Sequence, residues 1–367
     1  MTNPLVELGS LGQSPWYDFI TRDLITTGQL TRLIEEDGLM GMTSNPSIFQ
    51  KAIAGSDLYD EDITRLATEG KNAKEVFEEL AVTDVQAACD AFRDVHEGSD
   101  HSDGFVSLEV DPRLARDTVG TVAEARRLWA AIDRPNAMIK IPGTLEGLPA
   151  VTTCLSEGIN VNVTLLFSVT RYERVIEAFV HGLESRASQG LPLGGLASVA
   201  SFFVSRLDGK VDAILDARNG DSPVRGKTAI ANACQAYATF ERAFADPRWP
   251  PLAARGGAVQ RPLWASTSTK DPAFPDVYYV EALIGPHTVN TLPPATFDAY
   301  RDHGAPMVRI HEGIAKAGEI LAAVAAAGID LDALTAELER EGVKGFADSY
   351  TALLAGIEAK VGALIGR

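Results

Sequence analysis

Three ionisable residues stand inside apolar runs, where a charge costs free energy. Lys140 lies in AMIKIPG between Ile139 and Ile141. Burial there penalises the ammonium and favours the free amine, a nucleophile toward carbonyls. A strand-end lysine that reaches solvent, or one paired with an acid, is the plain structural alternative. Glu109 in FVSLEVD, with Asp111 just past it, is disfavoured in a strand by propensity and by burial, so a partner or a task is expected. An ion pair with Lys140 satisfies that expectation equally well. Asp18 in SPWYDFI is the third case, an acid between aromatic and aliphatic neighbours that also reads as a helix N-cap or a solvent-facing edge residue.

Neutral polar residues cluster after other apolar runs. Thr43, Ser44 and Asn45 follow MGM, and Asn160, Asn162 and Thr164 alternate through INVNVTLLFS. Alternation sends the latter three to one face of a strand, as a substrate site or as a buried structural network. Ser201 and Arg206 end the run LASVASFFVSRLD, and Ser266, Ser268 and Lys270 end PLWASTSTKDP. Hydroxyls beside a guanidinium or ammonium suit a phosphate group; pairing of Arg206 with Asp208 or Asp212 is the commoner fate of an arginine.

These residues need strands to hold them. Eight short apolar runs alternate with segments of helical periodicity, the signature of βα units around a parallel sheet. The runs are 16–20, 39–43, 105–110, 137–141, 160–167, 197–204, 262–268 and 288–292, with amphipathic segments such as 115–132 and 169–187 between them. Eight such units fit a closed (β/α)8 TIM barrel; the rival, an open doubly wound sheet, usually carries a GxGxxG turn that this sequence lacks. In a barrel the informative polar residues are those at the C-terminal strand ends. Residues 57–95 form a helical insertion between the second and third strands, expected outside the barrel. Beyond the eighth strand, 310–328 and 331–365 read as extra helices, the second interrupted near Gly342 and Gly345, with a terminal helix folding over the barrel mouth. Residues 246–262 read as a surface loop, and 1–367 as one domain.

Composition is ordinary for a globular chain, at 46% hydrophobic and 23% charged over 367 residues. The net charge of -17, with 33 Lys and Arg and no basic cluster, argues against nucleic acid and membranes as partners. Phosphorylated metabolites remain open, since one or two cations beside backbone N–H groups hold a phosphate. Cys89, Cys154 and Cys234 are widely spaced and read as buried thiols. No leader-like N-terminus or long apolar run occurs, so a soluble cytoplasmic protein is expected.

Some signals are set aside. GDSPVRGKT has five residues between Gly220 and Gly226 where a phosphate-binding P-loop has four. EGSDHSDG (97–104) lacks the closing glutamate of a calcium loop and reads as a solvated turn. The six histidines show no metal-ligand spacing, so neither a catalytic metal nor another cofactor is expected.

Taken in order and spacing, TSNPSIF, SLEVDPRLA, MIKIPGT, NVNVTLLFS and SFFVSRLD resemble the strand-end motifs of the transaldolase family across nearly the whole chain. With PWYDFI and WASTSTKDP, the sequence resembles the longer bacterial subgroup typified by actinobacteria and cyanobacteria. The resemblance implies a metal-free (β/α)8 barrel that moves a dihydroxyacetone unit in the non-oxidative pentose phosphate pathway. The sugars implied are sedoheptulose 7-phosphate, fructose 6-phosphate, erythrose 4-phosphate and glyceraldehyde 3-phosphate. It further implies that Lys140 forms the Schiff base, that Glu109 and Asp18 are the acid/base carboxylates, and that Thr164 helps hold a catalytic water. Thr43, Asn45, Asn162 and Ser201 are then the residues around the three-carbon unit, and Arg206 the main phosphate ligand. Where relatives carry Ser-x-Arg on the seventh strand, this chain reads ASTSTKDP, leaving Ser266 and Lys270 as candidates for the second phosphate contact.

Overall fold

A computed structural model of the protein describes residues 3–218 and 222–365. Eight strands close a parallel barrel in sequence order: β1 (Gln13–Tyr17), β2 (Gly41–Thr43), β3 (Phe105–Glu109), β4 (Ala137–Pro142), β5 (Val161–Leu166), β6 (Ser198–Phe203), β7 (Arg261–Ala265) and β8 (Thr288–Leu292). The chain is thus a (β/α)8 barrel with extra helices after β2 and at its C-terminal end, as the alternation of runs predicts. Every strand but the start of β7 is buried along its length, because helices cover the outside and side chains fill the inside.

The floor of the barrel is a polar clamp around one large ring. Gly41 lies so close to Trp16 that an added Cβ would sit 2.5 Å from the indole, so glycine is what lets the ring fill the bottom. The indole N–H donates to Asp103 at 3.1 Å, Ser14 donates to the same carboxylate at 2.7 Å, and Arg261 pairs with it at 3.1 Å. Residues 97–104 are therefore more than a solvated turn: they deliver Asp103, which is buried because its two oxygens satisfy three donors from β1 and β7.

Four boundaries differ from expectation in ways that matter. The first strand starts at Gln13, three residues before the predicted Trp16, since the missing N–H of Pro15 does not prevent its carbonyl from accepting from Met40 at 2.9 Å. Asp18 consequently sits one residue past the strand, at the barrel mouth, with its N–H on the Leu292 carbonyl at 2.9 Å. The seventh strand stops at Ala265 because Ser266 turns to φ 55°. Residues 246–262 contain a short helix, Trp249–Ala253, pinned by Trp249 against Phe244 and Phe179 at 4.8 and 6.2 Å between ring centres.

The fourth difference lies in the terminal helix, which runs unbroken over Leu331–Ile365. Gly342 does not interrupt it; an added Cβ there would lie 2.9 Å from Leu165, so the glycine allows the helix to close onto the top of β5. Packing outweighs the helix propensity lost at glycine, about 1 kcal/mol per residue. The insertion folds outside the barrel as Asp60–Thr68 and Ala73–Ala91, both in contact with this terminal helix. Phe77 meets Tyr350 edge-on at 5.6 Å, and Lys360 bonds Asp60 at 2.6 Å. Cys89, Cys154 and Cys234 are buried free thiols. Among the described residues no helix is long and apolar enough to cross a membrane. Of the P-loop-like stretch, Gly220 and Asp221 fall outside the described residues.

Candidate active site

Register brings the chemistry together. Glu109 pairs with Lys140 across β3 and β4, and Lys140 pairs with Asn162 across β4 and β5, so all three side chains share the interior face. Lys140 is 4% exposed and donates to the Ser44 carbonyl at 3.1 Å. Its Nζ stands 3.9 Å from Glu109 Oε2 and 6.0 Å from the centre of the Phe346 ring, which the terminal helix carries over the mouth.

Neither Glu109 oxygen has a hydrogen-bond partner among the described residues. Beside it lies a void of about 10 Å³, whose lining includes Phe49, Phe77, Leu108 and Tyr350 and, on its polar side, Ser44 and Asn45. That size is near the lower limit for one water. Burial in this apolar setting pushes the Glu109 carboxyl up to about 7; Lys140 opposes the rise and Asp18 adds to it. Burial raises Asp18 as well, against the lowering influence of Lys140 and of the Thr43 hydroxyl, which donates to it at 2.7 Å. Thr43 also meets Thr291 at 2.6 Å between hydroxyl oxygens.

A cavity of about 350 Å³ opens above Lys140. Of the residues singled out in the sequence, Asp18, Thr43, Asn45, Lys140, Ser201, Arg206, Ser266, Ser268 and Lys270 line it. Asn45 caps the helix Pro46–Ala54 by accepting from Ile48 N–H at 3.1 Å, and its amide nitrogen makes no hydrogen bond to the described residues. Glu109, Asn162 and Thr164 do not line the cavity. Asn162 is held between Ser107, to which it donates at 3.1 Å, and Ser201, from which it accepts at 2.7 Å. The Thr164 hydroxyl is buried and, among the described residues, has no partner.

Asn160 does not join Asn162 and Thr164. It bridges the foot of the sheet, donating to the carbonyls of Pro135 and Ala137 at 2.8 and 3.0 Å and accepting from Ala197 N–H at 2.9 Å. One residue outside β5, at its N-terminal end, it serves the backbone rather than the mouth.

The cationic rim is set by β6 and β7. Arg206, exposed at the start of helix Ser205–Arg218, has no ion pair among the described residues and stacks on Phe203 at 5.1 Å. Asp208 and Asp212 are engaged elsewhere, by Ala229 N–H and Tyr279 hydroxyl and by Gly226 N–H, so the surface pairing of Arg206 with them does not form. Ser266 meets Ser205 at 3.1 Å between hydroxyls, and Lys270 donates to Ser268 at 2.7 Å. Sequence reasoning missed Thr291, Lys51 and Phe346, which also line the cavity, and Ser107 beneath it. Thr291 stands at a strand end and was findable on that ground; Phe346 and Lys51 sit on helix faces with no local mark.

The arrangement holds a buried amine between two carboxyl groups, with hydroxyls and amides around it and cations at the rim. Such a set suits Schiff-base chemistry on a phosphorylated carbonyl compound. No group of three or more His, Cys, Asp or Glu among the described residues is placed to hold a metal ion. Comparison with known proteins agrees with the chemistry. A family model described as transaldolase/fructose-6-phosphate aldolase matches residues 15–357. The chain is 50% identical to a transaldolase of Frankia alni, over 99% of this chain and 98% of that one. It is 52% identical to a transaldolase of Acidothermus cellulolyticus, over 97% and 96%, and 47% identical to transaldolase 2 of a Nostoc species, over 98% of each.

Proposed function

Because the chain belongs to the transaldolase/fructose-6-phosphate aldolase family, we propose a full mechanism for it, with Lys140 as the covalent nucleophile. The enzyme is a transaldolase, a transferase of aldehyde or ketone residues that acts on sugar phosphates. One barrel domain, residues 1–367, works in the cytoplasm within the non-oxidative pentose phosphate pathway. It takes a dihydroxyacetone unit from sedoheptulose 7-phosphate to glyceraldehyde 3-phosphate, giving erythrose 4-phosphate and fructose 6-phosphate.

The amine of Lys140 adds to the C2 ketone of the donor. Glu109, acting through a water that Thr164 helps to hold, takes a proton from the adduct and returns one as water leaves the carbinolamine. The iminium so formed is an electron sink. Asp18 accepts the proton of the C4 hydroxyl while the C3–C4 bond breaks; the bonding electrons pass into the iminium and leave an enamine. The aldose phosphate departs. Asn45 and Ser201, the latter positioned by Asn162, hold the hydroxyls of the three-carbon unit, and Thr43 keeps Asp18 in place. Arg206 binds the phosphate, with Ser266 and Lys270 beside it. A second aldose then enters, Asp18 returns its proton to the new alkoxide, and hydrolysis frees Lys140. Phe346 covers the enamine from water between the two halves.

The observation that carries this reading is the buried Lys140 amine, 3.9 Å from Glu109, at the base of a cavity that Asp18 and Arg206 also line. The test is glyceraldehyde 3-phosphate release from fructose 6-phosphate with and without erythrose 4-phosphate. Strict dependence on the acceptor supports a transferase; equal release without it points to a plain aldolase.

A further inference from the structure

A second cavity lies on the barrel rim, between the first turn of helix Val169–Ser188 and the terminal helix. Its volume is about 450 Å³, and it shares no lining residue with the cavity above Lys140. Four arginines face it, Arg116, Arg171, Arg174 and Arg340, against the carboxylates of Asp332 and Glu339. In a chain of net charge -17 such a concentration of cations opposes the average field.

Two of the four are already engaged. Arg171 pairs with Glu339 at 3.0 Å and donates to the Gly143 carbonyl at 2.8 Å, while Arg116 stands 3.7 Å from Glu146. Arg174 and Arg340 make no hydrogen bond and no ion pair within 4.0 Å among the described residues. They reach the cleft from opposite walls, one from each helix. Ser168 and Thr170 add hydroxyls at the start of the first wall, where the helix dipole also favours an anion.

We propose that this cleft binds a small metabolite carrying two phosphoryl groups, with Arg174 and Arg340 each taking one of them. Guanidinium forks match phosphoryl oxygens two at a time, which lysines do not. Arg340 has Glu337 and Glu339 near it but in direct contact with neither, so both guanidinium forks, on facing walls, are open to an anionic group each. The volume falls in the range of small-molecule sites, roughly 300–1,000 Å³, and exceeds the need of a single phosphate.

Pyrophosphate is the probe, titrated calorimetrically into the full chain. Two double or single variants separate the cavities: R174A/R340A for the rim, and R206A for the cavity above Lys140. All three side chains are exposed, so truncation leaves the core intact. One pyrophosphate is expected to bind per R206A chain, at least tenfold more tightly than orthophosphate, with at least tenfold weaker binding when R174A/R340A is added to R206A, and transaldolase turnover retained in R174A/R340A alone. Undiminished affinity when R174A/R340A is added to R206A, no binding to R206A, or equal affinity for orthophosphate would overturn the proposal.

Discussion

Lys140 Nζ and Glu109 Oε2 are 3.9 Å apart on paired positions of adjacent strands. That is near enough for attraction and too far for a direct hydrogen bond. Neither residue neutralises the other in the manner of a structural ion pair: Lys140 spends a hydrogen bond on the Ser44 carbonyl, and both Glu109 oxygens are without a protein partner among the described residues. A buried carboxyl left in that condition is costly to ionise, and under the proposed mechanism that cost suits it to proton transfer near neutrality.

Turnover should therefore carry an ionisation near 7 that belongs to Glu109. The carboxyl is raised, so it is protonated below that pH and cannot relieve the attacking amine of its proton; kcat falls as pH drops through 7. Glu109→Gln should lower kcat by roughly 10²- to 10⁴-fold and remove that limb. A pH–rate profile checks this, and an unchanged acidic limb in the variant would assign it elsewhere.

Arg206→Ala should raise KM for phosphorylated sugars by about 10- to 100-fold, since a hydrogen bond to a charged group contributes about 1.5–3 kcal/mol. Little change is expected in kcat or with unphosphorylated dihydroxyacetone as donor. Steady-state kinetics with both donor types decide it; equal losses on both would show that Arg206 does not read the phosphate.

Ser201→Ala removes the hydroxyl that donates to Asn162 and, under the proposed mechanism, one contact to the enamine. Acceptor-independent release of dihydroxyacetone, measured as a fraction of transfer, should rise severalfold. An unaltered ratio would mean that retention rests on other groups.

Asp208 lies outside the reaction yet affects stability. Burial pushes its carboxyl up to about 7, partly offset by the Ala229 N–H it accepts. The folded chain thus binds more protons than the unfolded one between about 4 and 7, so stability falls as pH rises through that window. Asp208→Asn should flatten this slope in denaturant titrations at pH 5, 6 and 7; the same slope in both proteins would contradict it.

The barrel was legible because eight apolar runs recur with helical periods between them, and the candidate site because ionisable residues inside such runs demand a reason. Lys140 and Glu109 announce themselves in this way. Asp18 was seen but misplaced, since Pro15 hides the start of its strand. Asp103 was misread because its partners, Ser14, Trp16 and Arg261, come from distant strands. Phe346 and Ser107 are ordinary helix and strand residues by local pattern, and only the closed barrel shows one above the amine and the other below it. Gly342 reads as a helix break until Leu165 is seen against it.

The central claim is covalent attachment of the substrate to Lys140. The most direct test is borohydride reduction of the protein mixed with fructose 6-phosphate, followed by mass mapping of the peptide that contains AMIKIPG. The expected result is one reduced three-carbon adduct on Lys140, absent in an inactive Lys140→Ala variant. A turning-over enzyme that yields no adduct, or an adduct on another lysine, would contradict the account.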